Sequence, residues 1–374
     1  MRLAIVLVHY HTPDLAAEAV AALRADLGGL EAEWLLVDNG SDAAGRALIA
    51  TLPVTRLDPG GNVGYAGGVN LGVAASRAEV IVLMNPDVLV LPGCIPALLA
   101  EIDRGAAIAG PRFFWDRGRR LVLPPAEVRS RRAEVAALLA RRGGGWEARA
   151  RRAWRRHARR HWEAERPLAS YSLSGSLLAV RRSAWDRVGP FDGGYPLYFE
   201  ETDWLLRARR RGLPARYVPA ARAVHLYGRS AAREPRAQQW FEESASRFRR
   251  RHYGAWFEPL LRRLDGGSPS GPPARGDRLP AHAPLSPHSD TELDLSAFGD
   301  AFPLWVEVSP HSASFPAAAE LLRQPAARWR FPDEIRARWV EGDLAVHLID
   351  RRGRELAGGT LSPLPSRGVA GEVA

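Results

Sequence analysis

At 374 residues the chain is too long for one minimal core and points to two domains, or to one large domain with additions. Hydrophobic residues at 46% and charged residues at 25%, with 12 Trp, exclude a globally disordered chain. The net charge of +10 is carried by arginine alone, since the sequence has no lysine, and it is localised: residues 129–160 hold twelve Arg against Glu134 and Glu147.

No apolar run reaches the roughly 18 residues of a membrane span. The longest candidate, Val80–Leu91, is cut by Asn85-Pro86-Asp87. The opening MRLAIVLVHYH reads as a first strand, not a signal peptide. With one cysteine, Cys94, no intrachain disulfide or cysteine-based zinc site can form. Cys94 is expected to be a small buried residue, and the chain to work in a reducing cytoplasm.

The first 110 residues alternate short apolar runs with helical patterns. Leu3–Val8 is a continuous apolar run, as in a parallel strand buried on both faces. Thr12-Pro13 supplies an N-cap and a proline at the first helical position, and Gly28-Gly29 ends the helix. Trp34–Val37, Val54–Leu57 and Val80–Met84 follow as strands, with helices at Ala43–Ala50 and from the glycine-rich stretch to about Ser76. The alternation predicts an open, mostly parallel α/β sheet, whose ligands sit at the carboxyl ends of the strands.

Residues 116–166 read as a basic, helical insertion with Trp146, Trp154 and Trp162. That eight-residue spacing drifts by about 80° per step, so the three share a face only loosely. Strand and helix signals resume over 171–227. The expected domains are a catalytic domain over 1–265, a Pro/Gly-rich linker over 266–290 and a strand-containing accessory module over 291–374.

Five constellations bear chemistry. Tyr10 and Asp38, ending neighbouring strands, offer a flat surface and an acceptor for a nucleotide base, although Asp-Asn-Gly-Ser is also good turn sequence. The stretch from Gly60 to Asn70, including Asn62 and Gly64, lets backbone approach a ligand, or serves as a plain turn. Asn85-Pro86-Asp87 puts a carboxylate at a strand end, where it can hold a divalent cation against a diphosphate. Glu200, Glu201 and Asp203 head a helix that stops at Gly212 and can cap it or supply a general base. His225 is a candidate ligand for a Mn²⁺-type cation.

Taken in order, these pieces resemble the inverting A-type glycosyltransferases of family 2, in the branch of bacterial rhamnosyltransferases. The resemblance spans about residues 1–260 and rests on VHYHTP at 8–13, VDNGSD at 37–42, NVGYAGGVN at 62–70, LMNPDV at 83–88, SGSLLAVRRSAWDRVGPFD at 174–192 and YFEETDWLLRARRRG at 198–212. It implies an A-type fold, a Rossmann-like sheet flanked by helices, and a nucleoside-diphosphate-sugar donor held by Tyr10, Asp38, Asn62, Gly64, Asn70 and Asn85. It further implies a Mg²⁺ or Mn²⁺ cofactor on Asp87, with His225 as a further ligand. Asn85 stands where the family's Asp-x-Asp motif has its first acid. Glu201 matches the second acid of a Glu-Asp pair assigned as base, and the division of labour among Glu200, Glu201 and Asp203 stays open.

The expected function is inverting sugar transfer to a glycan or lipid-linked acceptor, as in cell-wall or polysaccharide biosynthesis. The arginine-rich segment 129–160 suggests contact with an anionic membrane surface, or a solvated helix whose tryptophans pack inward; nucleic acid is not expected as a partner. The competing reading is a non-catalytic polyanion- or membrane-binding protein on a degenerate transferase scaffold. A sugar nucleotidylyltransferase would want a basic glycine-rich loop where His9-Tyr10-His11-Thr12 stands.

Overall fold

The computed structural model describes residues 2–226, 236–265, 283–284, 287–289, 291–310, 316–337, 339 and 342–362. Its elements begin with β1 (Leu3–His9), α1 (Pro13–Leu27), β2 (Glu33–Asp38), α2 (Ala43–Ala50), β3 (Thr55–Leu57) and α3 (Gly64–Ala74). Next come β4 (Val80–Met84), β5 (Val88–Val90), α4 (Cys94–Asp103), β6 (Ile108–Phe114), β7 (Val122–Leu123), α5 (Arg131–Ala140) and α6 (Gly144–Trp162). They continue with β8 (Leu168–Ala169), β9 (Leu177–Arg181), α7 (Arg182–Val188), α8 (Glu200–Arg210), β10 (Ala215–His225), α9 (Ala237–Tyr253) and α10 (Phe257–Asp265). The last part holds β11 (Ala283–Pro284), β12 (Pro287–Ser289), β13 (Glu292–Asp294), β14 (Leu304–Ser309), β15 (Ala318–Leu322), β16 (Arg328–Arg330), α11 (Asp333–Arg336), β17 (Leu344–Ile349) and β18 (Glu355–Leu361).

The chain divides into two compact units. The first comprises Met1–Phe113, Pro125–Glu134 and Glu163–Gly267; the second comprises Phe114–Pro124, Val135–Trp162 and Ser268–Ala374. The first unit is built on strands β3, β2, β1 and β4, paired parallel in that order, then β9 antiparallel to β4, and β6 antiparallel to β9. Every residue of β1 and β4 is buried, which explains their uninterrupted apolar runs. This is the expected α/β sheet, mostly parallel and flanked by helices. Thr12 occupies the N-cap of α1, but its side chain makes no capping bond.

The glycine-rich stretch, expected as a loop, is helical from Gly64 onward. The reason is packing. A Cβ on Gly68 would fall 2.6 Å from Val8 Cγ1, and one on Gly72 2.4 Å from Val6 Cγ1. These two glycines let α3 lie directly on β1 and do not face a ligand. In the same core cluster, Trp204 of α8 is fully buried, stacks on Trp185 of α7 at 5.5 Å and donates to the Gly189 carbonyl at 2.7 Å. That packing fixes the start of α8.

The second unit orders its larger sheet β11-β18-β17-β14-β15-β7, with β12-β13-β16 as a separate antiparallel sheet. Its core gathers Trp115, Leu293, Val306, Trp329, Phe331 and Leu348. The basic insertion, expected as part of the catalytic domain, contributes α6 to this second unit. Trp162 packs on Trp305 at 5.3 Å, and Trp154 and Trp162 are buried, whereas Trp146 is 47% exposed. So one tryptophan of the three faces solvent. Of the expected linker 266–290, only β11 and β12 fall within the described residues. Among the described residues no helix is long and apolar enough to cross a membrane.

Candidate active site

The carboxyl ends of β1 and β2 carry the first part of the site. His9 and Asp38 face each other across the β1–β2 register, and buried His9 Nε2 lies 3.3 Å from Asp38 Oδ1. The Ser41 amide donates to Asp38 Oδ1 at 2.9 Å, and Arg56 Nη1 reaches Oδ2 at 3.4 Å. Burial pushes the Asp38 carboxyl up, but the Ser41 hydroxyl and amide, with His9 and Arg56, outweigh it and hold the group below its ordinary value. Asp38 thus closes its own turn and stays charged. Half-buried Tyr10 lies at the same edge, where a Cβ on Gly40 would stand 3.9 Å from its ring. Asn62 Oδ1 accepts from Asn39 Nδ2 and from the Gly64 amide, both at 2.9 Å, so it holds the entry to α3. Gly64 sits at φ 73°, a left-handed geometry that favours glycine.

The end of β4 carries the second part. The Asn85 amide donates to the Ser176 carbonyl at 2.9 Å, while buried Asn85 Oδ1 has no hydrogen-bond partner among the described residues. Antiparallel pairing of β5 with β10 sets His225 opposite Val88. His225 Nε2 consequently lies 3.7 Å from Asp87 Oδ1 and 3.4 Å from Ser176 Oγ. A carboxylate, an imidazole and a buried amide oxygen short of a partner make a donor set that fits Mg²⁺ or Mn²⁺.

The third part is the start of α8. A Cβ on Gly175 would fall 2.6 Å from Glu201 Cγ, so the 174–176 turn lies directly against this side chain. The Tyr65 hydroxyl donates to the Gly175 carbonyl at 3.1 Å. Burial and the charges of Glu200, Glu201 and Asp87 push that hydroxyl well above its ordinary value. That tyrosine thus lies within electrostatic reach of the strand-end acid and both helix acids. Burial, then the charge of Glu201, drive Glu200 well up, and Glu200 Oε2 is buried with no hydrogen-bond partner among the described residues. Burial also raises Glu201, but its own amide, Thr202 and the Arg129 charge pull the other way. Both acids of the pair are thus pushed up, and the site opposes their being charged together.

The sequence profile of glycosyl transferase family 2 matches residues 4–158. The N-acetylglucosaminyl-diphospho-decaprenol L-rhamnosyltransferase of Mycobacterium tuberculosis is 34% identical over 251 residues, which are 62% of this chain and 79% of that protein. The chain belongs to glycosyltransferase family 2. Rhamnosyltransferase WbbL of Escherichia coli is 44% identical over 52 residues, 14% of this chain and 20% of the relative. Among solved structures, a mannosyltransferase from Pyrobaculum calidifontis in complex with GDP-Man and Mn²⁺ superposes with a TM-score of 0.42 at 15% identity, covering 70% of this chain and 73% of the other.

The transferase brings Tyr10, Asp38, Asn62, Gly64, Asn85, Asp87, Glu200, Glu201 and His225 to one edge of its sheet, all within the first unit. Two expected site residues have other work. Asp203, expected as a third candidate base, is fully buried: His252 Nε2 lies 2.7 Å from its Oδ1, and Arg207 Nε donates to Oδ2 at 2.8 Å. Burial raises its carboxyl, but His252, Arg207 and Arg251 outweigh that and leave it below its ordinary value. It ties α8 to α9. Asn70, expected at the donor, spends its amide on Phe191, donating to the carbonyl and accepting from the amide, both at 2.9 Å. That staple holds the loop leading to Glu200. Sequence reasoning missed Tyr65, Gly175, Ser176 and Arg129. The signals for the first three were present as an aromatic in the glycine-rich stretch and as Ser-Gly-Ser ahead of a strand.

Proposed function

We propose that this transferase moves a deoxyhexosyl group, rhamnose, from a nucleoside-diphosphate donor to a lipid-linked glycan, inverting the anomeric centre, with Glu201 as general base. The observation that carries the reading is the 174–176 turn: Gly175 lies directly against Glu201, while Ser176 accepts from the Asn85 amide and meets His225, itself 3.7 Å from Asp87. Acids from β4 and from α8 thus border one site. The choice of rhamnose and of a lipid-linked acceptor rests on the likeness to the mycobacterial relative, whose name states both.

In this reading Tyr10 and Asp38 take the nucleoside, and Asn62, Gly64 and Asn85 border the sugar and diphosphate. Asp87 and His225 would hold Mg²⁺ or Mn²⁺, which when bound offsets the charge building on the departing diphosphate. Glu201, ionised beside a neutral Glu200, accepts the proton of the acceptor hydroxyl as its oxygen attacks the anomeric carbon. The bond to the diphosphate breaks as the glycosidic bond forms, and a single displacement inverts the centre. The test is nucleotide release and sugar transfer across a panel of nucleoside-diphosphate sugars. Cation-dependent turnover, best with a rhamnosyl donor and lost in Asp87→Ala and Glu201→Gln, is expected. Near wild-type rates from both variants, folded, overturn the assignment.

We further infer contact with an anionic membrane surface through α6. Arg149, Arg152, Arg156 and Arg160 are outward-facing and fall within about 80° of helix circumference at ~100° per residue. Each such charge is worth about 1 kcal/mol near anionic lipid, and exposed Trp146 sits at the stripe's start. Sedimentation with anionic but not neutral vesicles, lost when the four arginines become glutamine, is expected; no sedimentation of the wild type at low salt overturns it.

A further inference from the structure

The residues just ahead of α8 form an unusual surface. Tyr198 and Phe199 both adopt left-handed backbone, φ 65° and 69°, immediately before Glu200. Non-glycine residues there cost about 1–3 kcal/mol each, and such strain concentrates at functional sites. The strain separates the two rings. Phe199 is buried against Phe241 and Phe248 of α9, each at 5.4 Å. Tyr198 meets Phe241 at 5.8 Å, and these two rings are each 37% exposed.

A cation stands beside this ledge. The Arg129 guanidinium lies 4.7 Å over the Phe199 ring and donates to Glu134 Oε1 at 3.0 Å, yet its side chain remains 38% exposed. Its charge acts on Glu201, so it lies within electrostatic reach of the base. Two residues on, exposed Arg131 stacks over Trp256 at 5.3 Å, and that tryptophan is 54% exposed. In the proposed function the donor's diphosphate lies at the strand ends, where Asp87 and His225 would hold the cation and Asn85 borders the group. An arginine on the α8 side, bordered by exposed aromatic rings, suits a different molecule: an anion with an apolar tail. Guanidinium groups bind phosphate oxygens in pairs, and exposed aromatic patches favour apolar chains.

We propose that Arg129 binds the diphosphate of a lipid-linked acceptor, with Arg131 as a second cation, while the first isoprene units lie on Tyr198 and Phe241. The proposal rests on the assignment of Glu201 as base, because it places the acceptor on that residue's side. A donor diphosphate shares the chemistry, so the experiment separates the two sources. Calorimetric titration of the full chain with farnesyl diphosphate, farnesol, and UDP, GDP and dTDP reads each affinity. Wild type is expected to bind farnesyl diphosphate more tightly than farnesol. Arg129→Gln weakens farnesyl diphosphate about tenfold, the worth of one charged hydrogen bond, and the preferred nucleoside diphosphate less than about twofold. Arg129→Lys, which keeps the charge and the partner Glu134, falls between, and Tyr198→Ala weakens farnesol as well. Melting temperatures confirm that each variant is folded. Unchanged farnesyl diphosphate binding in Arg129→Gln, an equal loss for the nucleotide, or no binding by the wild type overturns the proposal. Failure of the base assignment shows separately, as undiminished transfer by Glu201→Gln.

Discussion

Two pairs of glutamates with little access to water sit in this chain, one in each unit, and their surroundings differ in kind. In the second unit Glu307 and Glu355 share Arg155. Its Nε and Nη2 donate to Glu307 Oε2 at 2.9 and 2.7 Å, and its Nη1 donates to Glu355 Oε2 at 2.6 Å. His347 Nδ1 adds a contact at 3.0 Å to Glu355 Oε1. In the first unit Glu200 and Glu201 have chiefly each other, the amides at the start of α8 and the distant help of Arg129. A buried carboxylate matched by a guanidinium is a structural joint. A buried carboxylate beside another carboxylate is costly to ionise, which lifts its titration above the ordinary carboxylate range and suits it to exchange a proton.

The largest effect expected from this contrast is on chemistry. Glu201→Gln removes the proton acceptor and should reduce sugar transfer by about 10²- to 10⁴-fold. Its melting temperature at neutral pH should not fall, because a neutral amide replaces a group whose ionisation the site opposes. A large drop in melting temperature would make Glu201 a structural joint like Glu307. Arg155→Met tests the other pair. It strands two buried carboxylates and should cost about 3–5 kcal/mol in chemical denaturation, while transfer per folded molecule is retained. A change below about 1 kcal/mol would mean the cluster is already solvated.

The parallel sheet was legible because β1 and β4 are apolar on both faces, a pattern few other structures produce. The acids were legible as a group, because Asp87 closes a strand and Glu200 and Glu201 open a helix. What stayed hidden depends on partners far along the chain. Arg155 meets Glu307 across 152 residues and Glu355 across 200, so the arginine-rich stretch read as a charged surface when part of it is a core joint. Asp203 looked equivalent to its neighbours until His252 and Arg207 were seen to claim it. The stretch from Gly60 to Asn70 read as a loop that approaches a ligand, whereas Gly68 within it and Gly72 just beyond it make room for Val8 and Val6. Gly72→Ala should accordingly destabilise the protein by about 1–3 kcal/mol, as overpacking does, and Val6→Ala in the same chain should recover part of the loss. No change in denaturation midpoint would mean that Val6 yields at no cost and that the packing does not require glycine at this position.

The smallest expected effect is the most discriminating about the two acids of α8. Because burial lifts Glu201 above its ordinary value near 4.5, transfer should rise with pH through a limb displaced upward from that value. If Glu200 is neutral while Glu201 ionises, replacing it with glutamine removes no charge from the state that matters. Glu200→Gln should then keep most of its activity and move the limb by at most about 0.3 unit, the statistical share of a proton divided between two sites. If Glu200 already carries charge when Glu201 ionises, the same substitution relieves a repulsion and the limb falls by about one unit or more. A pH profile of kcat for wild type and Glu200→Gln reads the difference directly. The second result would reverse the order of ionisation and make Glu200 the stronger acid of the pair.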